Sequence, residues 1–186
     1  MRQNHIKFFE EISNLFEFLA IVFILLIALA IQIFLKELPC PLCLLQRIGF
    51  IGIAYGLLLN FRFGFRPSHY AIALLSGIFT SLVALRQIIL HVVPGTGAYG
   101  SSFLGLHLYT WSFIISILIV IGTILLLAID RQYFVHRQMT LAKKRMMHIL
   151  FGMIILIVFS NIITVAMECG LGACPENPTH YRLVKV

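Results

Sequence analysis

The sequence predicts an all-α polytopic membrane protein, a small helical bundle forming a single integral membrane domain over residues 1–186. Three observations carry this reading. The chain is 60% hydrophobic and 11% charged, with a mean hydropathy of +0.99, a composition foreign to a water-soluble globule with polar faces. Its apolar residues run in five stretches at or near the ~20 residues that a helix needs to cross the hydrocarbon core. The two-residue alternation of a membrane barrel is absent, which leaves helices, whose backbone amides are paired within the segment.

The spans are read in order as Leu15 to Leu35, Leu44 to Phe61, Tyr70 to Leu90, Tyr109 to Ile129 and Met147 to Met167, with residues 168–186 as a tail. The first is expected to be retained: its apolar core is longer than a signal-peptide h-region, and no small-residue cleavage pattern precedes Lys36. The second is the weakest, because Gln46 and Arg47 fall in its first turn and leave a short clean stretch from Ile48. Snorkelling to the interface is one way for that span to accommodate Arg47.

The net charge of +7 is mostly a topology signal. Arg2, Lys7, Arg62, Arg66, Arg131, Arg137, Lys143, Lys144 and Arg145 share one side of the membrane, against Lys36, Arg182 and Lys185 on the other. No Lys or Arg lies between His91 and His107. The positive-inside rule then places the amino terminus in the cytoplasm and the tail outside, and no nucleic-acid partner is needed to explain the basic balance.

All four cysteines fall on the outer side under this topology: Cys40 and Cys43 in the first loop, Cys169 and Cys174 in the tail. In a disulfide-permissive compartment, two close pairs are either two structural bridges or two pairs that exchange electrons. Cys40-Pro41-Leu42-Cys43 closes too few residues to be a useful staple. Its chemistry is better served by reactivity. Cys43 lies at the amino-terminal end of the second span, where unpaired amides and the helix dipole favour an anion, and Arg47 adds a cation at i+4; both favour the thiolate.

Pro39-Cys40-Pro41-Leu42-Cys43 followed by Gln46-Arg47 resembles the first periplasmic loop of the disulfide bond formation protein B (DsbB) family of quinone-dependent thiol oxidases. Arg86-Gln87 through His91, and Phe103 to Trp111, agree with that likeness, which covers roughly Leu15 to Ile129. It implies a four-helix DsbB-like bundle, here with one additional carboxy-terminal transmembrane helix, in a bacterial inner membrane. It further implies electron flow from a soluble periplasmic DsbA-type thioredoxin-fold protein, through a second cysteine pair, to the C-x-x-C and on to a membrane quinone, ubiquinone or menaquinone. By matching position, Cys40 exchanges with the second pair, Cys43 faces the quinone, and Arg47 positions it. A DsbA-type protein is itself a strong oxidant, at ~ −120 mV, so its reoxidation needs an acceptor of higher potential.

The chain departs from the family pattern in one respect. The usual second pair belongs between the third and fourth spans, yet His91 to Leu108 holds four glycines and no cysteine. The fifth span instead returns Cys169 and Cys174 to the outer face. They are expected to take the shuttle role, the glycines between them allowing a tight turn; a structural bridge capping the fifth helix is the alternative. Arg86 and Gln87 are expected either to help bind quinone or to sit at the interface by snorkelling, and His91 and His107 either to handle quinone or protons or to serve as ordinary interfacial hydrogen-bonding residues. Glu17, Tyr109, Trp111 and Asn161 read as cytoplasmic-edge, interfacial or interhelical polar residues, and no metal site is expected. Two other classes stand beside this reading. A haem- or metal-handling membrane protein would use the histidines and thiols as ligands, though these lack recurrent ligand spacing. A non-catalytic membrane assembly subunit would carry the disulfides passively. A vitamin-K-epoxide-reductase-like enzyme also couples a C-x-x-C to a quinone, but with a different order of pairs.

Overall fold

The computed structural model describes residues 2–93, 95, 97–129, 133, 141–170, 172–175, 178 and 180–183, with side chains from residue 8 onward. Of the cations used to orient the chain, Arg131, Arg137 and Lys185, and the side chains of Arg2 and Lys7, lie outside the described residues. The order of elements is α1 (Arg2–Phe34), α2 (Pro41–Phe63), α3 (Pro67–Val92), β1 (Ser102–Phe103), β2 (Leu106–His107), α4 (Leu108–Leu127) and α5 (Leu141–Cys169). All five helices are long and apolar enough to cross a membrane.

Helix boundaries follow local chemistry. Lys36 takes a left-handed φ of 55° just beyond the last turn of α1, and Pro39 precludes helix through the residue before it. Pro41 and Pro67 open α2 and α3, where a missing amide costs nothing. α2 packs along α3, α3 along α4, and α1 along α2, while α5 packs on the α1 and α2 side. The α2–α3 crossing is close because it is lined by small residues. A Cβ on Gly56 would lie 2.8 Å from both the Ala73 amide nitrogen and the His69 carbonyl oxygen. Phe18, Ile21, Ile53, Leu57 and Tyr70 fill the core without exposure; Phe16 and Phe34 point outward, as lipid-facing residues do.

The α3–α4 connection contains a feature the sequence reading does not anticipate. β1 and β2 pair antiparallel across Leu104 and Gly105, both at positive φ (52° and 78°), the backbone pattern of a tight primed hairpin turn. Tyr99 Oη donates to the Leu38 carbonyl at 2.5 Å, and the Ser101 amide donates to Glu37 Oε2 at 3.2 Å. These two bonds fold the third loop over the first, beside the cysteines.

Candidate active site

The C-x-x-C is built into a helix start. Cys40 is the N-cap of α2 in extended conformation, and its Sγ accepts the Cys43 amide at 3.2 Å, the bond that a Ser or Asp oxygen makes at most caps. Pro41 at the first helical position fixes the turn, so the second cysteine is carried on the first helical turn beside its partner. Both are free thiols; Cys40 is buried and Cys43 half-buried. The hydrogen bond with Cys43, and then burial, push the Cys40 thiol well above the ordinary cysteine range. Cys40 therefore keeps its proton at neutral pH.

Gln87, from the last turns of α3, holds both sulfurs. Its Nε2 donates to Cys40 Sγ at 3.3 Å and to Cys43 Sγ at 3.5 Å, while its Oε1 accepts from Gln46 Nε2 at 2.7 Å. Gln87 Oε1 also lies 3.8 Å from Cys43 Sγ, within reach of its thiol proton, so both ends of the amide meet the cysteine pair. Burial of Gln87 is complete, so these bonds are made away from solvent, where they matter most.

Arg47 lies one turn deeper and does not snorkel. Its Nη1 donates to Gln32 Oε1 of α1 at 2.6 Å and to Asn161 Oδ1 of α5 at 3.3 Å, and its Nη2 to the Ala28 carbonyl at 3.0 Å. The guanidinium is held by three neutral acceptors from two other helices, which is why it stays inside at 9% exposure. Gln32 in turn donates from Nε2 to Tyr181 Oη at 3.4 Å, tying the tail to the same network. Among the described residues no carboxylate lies within salt-bridge distance of Arg47, although the charge of Glu168, at the end of α5, acts on it.

A cavity of about 610 Å³ opens between α1 and α4, roofed by the two outer loops. Its walls are apolar, including Phe23, Ile27, Ile31, Phe50 and Ile115, and its polar end is Cys43, Gln46, Arg47 and Gln87. Trp111, Ser112, Tyr99 and Glu37 also line it. Ser112 Oγ is buried without a hydrogen-bond partner. Burial above all pushes the Tyr99 phenol upward, so it remains a donor. A long apolar slot ending in fixed donors beside a thiol suits a flat, hydrophobic molecule with carbonyl oxygens.

Residues 10–98 match the family model of the disulfide bond formation protein DsbB. Over that stretch, just under half of the chain, the sequence is similar to the DsbB family. The matched stretch contains the whole C-x-x-C, Arg47 and Gln87, so the part of the chain that forms the thiol end of the cavity is the part that carries the family signature. No curated protein and no solved structure matches the chain.

The remaining expected site residues divide. Cys169 and Cys174 form a disulfide with Cα atoms 4.4 Å apart, at the same end of the bundle as Cys40. The described tail residues fold back there: the Leu183 amide donates to the Met167 carbonyl at 3.1 Å, and Arg182 Nη1 to the Ala173 carbonyl at 3.0 Å. Arg86 is exposed and does not line the cavity. His91 bonds the Gly97 carbonyl through Nδ1 at 3.0 Å and stacks on Tyr109 at 5.5 Å, so Tyr109 separates it from the cavity. His107 stacks on the same Tyr109 ring at 5.3 Å. Among the described residues no group of His, Cys, Asp and Glu is placed to hold a metal ion. Sequence reasoning missed Gln32 and Glu168. Polar residues within or just past an apolar run were their signal.

Proposed function

We propose that this protein is a DsbB-type membrane oxidoreductase of disulfide formation, which reoxidises a DsbA-type dithiol protein and delivers the electrons to a membrane quinone through Cys40 and Cys43. The observation that carries this reading is the apolar cavity whose polar end is made by Cys43 and Arg47. A bound quinone supplies a two-electron, two-proton acceptor. Its ring would rest against Cys43, Arg47 and the unpartnered Ser112 hydroxyl, with its apolar chain between α1 and α4. Arg47 is held by acceptors that leave its charge unneutralised at contact distance, ready to favour negative charge in the cavity. Gln87 keeps the two sulfurs in register, Cys40 retains its proton, and the helix start favours an anion on Cys43.

The tail pair has the shuttle role in this proposal. A partner dithiol reduces the Cys169–Cys174 disulfide by exchange, and the resulting tail dithiol attacks the Cys40–Cys43 disulfide at Cys40. Each exchange transfers one disulfide and two electrons, and the Cys40–Cys43 dithiol returns them to the quinone. The proposal places the amino terminus in the cytoplasm and the tail in the periplasm of a bacterial inner membrane, on the charge asymmetry described above. The test is quinone-dependent oxidation of a DsbA-type dithiol protein by purified protein. Wild type reduces quinone, Cys43→Ser does not, and Cys169→Ser loses transfer from the protein partner while still oxidising dithiothreitol. A wild type unable to reduce quinone refutes the reading, and a fully active Cys169→Ser refutes the tail's part in it.

A further inference from the structure

The fifth helix brings to the thiols a carboxyl group that the mechanism above does not use. Glu168 is the penultimate residue of α5, directly before the disulfide-bonded Cys169. It has no solvent exposure, and neither of its carboxyl oxygens has a hydrogen-bond partner. A carboxyl group left in this condition is expensive, and an ionisable side chain inside a membrane protein marks a functional pathway by default. The groups that share its surroundings are specific. Its charge is felt by Arg47 and Cys43 of α2 and by Tyr99 of the third loop, while α1 contributes the neutral Gln32 next to Arg47. Asn161, two turns earlier on α5, already bonds Arg47, so this face of α5 is turned to the redox site.

We propose that Glu168 holds the proton that Cys43 gives up, making α5 a working part of the redox site rather than an added anchor. This rests on the quinone-linked reading above. The step balances as follows. The Cys43 thiol and the Glu168 carboxylate become the Cys43 thiolate and the Glu168 carboxylic acid, with the charge of Arg47 felt by both and the net charge of the buried site unchanged. When Cys43 closes onto Cys40, the dithiol loses two electrons and two protons, one proton from Cys40 and one from Glu168. A quinone-class acceptor takes up both electrons and both protons. Glu168 acts through the charge of Cys43 and Arg47 and is a positioning residue.

The test is redox-induced infrared difference spectroscopy on the purified full-length protein, poised with a dithiol–disulfide buffer so that Cys40 and Cys43 change state with or without quinone. The expected result is a carboxylic-acid carbonyl band that follows Cys40–Cys43 oxidation and is lost in Glu168→Gln and in Cys43→Ser. In single-turnover oxidation by quinone, Glu168→Gln is expected to be at least about tenfold slower, with a flattened pH profile and little change in KM for quinone. Glu168→Asp is expected to recover part of the rate. A thermal unfolding midpoint of Glu168→Gln no lower than that of wild type shows that α5 still docks. No carbonyl band in wild type, a band retained in Glu168→Gln, or an unchanged rate and pH profile in that variant overturns the proposal. If wild type shows the band but does not reduce quinone, the quinone reading fails while the redox-linked proton on Glu168 stands.

Discussion

Two of the buried polar networks among the described residues lie at opposite ends of the same bundle, and they are built differently. At one end Asn60 Nδ2 donates to Asn14 Oδ1 at 3.3 Å, and Asn60 Oδ1 accepts the Arg66 amide at 3.3 Å and His69 Nδ1 at 3.0 Å. Asn14 Nδ2 donates to the Leu57 carbonyl at 3.1 Å. Every amide of that knot has a partner, and it ties α1, α2 and the start of α3 together. At the other end Arg47 is surrounded by neutral acceptors, Ser112 Oγ and both Glu168 oxygens have no hydrogen bond, and a cavity opens beside them. A closed network stabilises a fold. An open one beside a cavity leaves groups available to a ligand, a proton or an electron pair, and stability must come from elsewhere.

Mutations at the two ends should therefore separate activity from stability. Arg47→Met is expected to cut quinone-dependent turnover at least about 100-fold, the size of an electrostatic contact made to developing charge, with the chain still folded in detergent. Asn60→Ala should do the reverse. It leaves the Arg66 amide and His69 Nδ1 without an acceptor and should cost about 2 kcal/mol in reversible unfolding in mixed micelles, with turnover of the folded fraction unchanged. Gln87→Leu removes the donor to both sulfurs and is expected to slow Cys40–Cys43 oxidation about tenfold, the effect of losing a hydrogen bond worth ~1 kcal/mol or slightly more, as measured by stopped-flow reduction of quinone. Arg86→Ala, one residue away and exposed, should stay within about twofold of wild type in both assays. A large loss of turnover in Asn60→Ala, or of stability alone in Arg47→Met, would erase the distinction between the ends.

The adjacent pair Arg86 and Gln87 shows where sequence reading stops. Successive helical residues are ~100° apart, so at most one of the two faces the thiols. Chemistry favours the charged one as a candidate, and packing selects the amide. Five helices were legible because length and hydropathy suffice for a membrane span. Cys40, Cys43 and Arg47 were legible because their relation is local, set by a helix start and one turn. Gln32, Asn161 and Glu168 meet Arg47 or its field only through the docking of α1 and α5 on α2, and no spacing within one helix reports that. Glu168 also lies one residue past the apolar run that ends at Met167, so it reads as tail, whereas α5 continues to Cys169 and buries it. The hairpin over the first loop was hidden because Leu104 occupies a positive-φ position that usually signals itself by Gly or Asn.

Trp111 is the single tryptophan of the chain, and it lines the same cavity as Arg47, so it reports directly on the claim that this cavity takes a quinone. Titration of a short-chain quinone into the purified protein should quench Trp111 fluorescence saturably, with Arg47→Met moving the midpoint at least about tenfold to higher quinone, the loss of a charge-assisted contact. Quenching that rises linearly without saturation, and identically in Arg47→Met, would contradict the account.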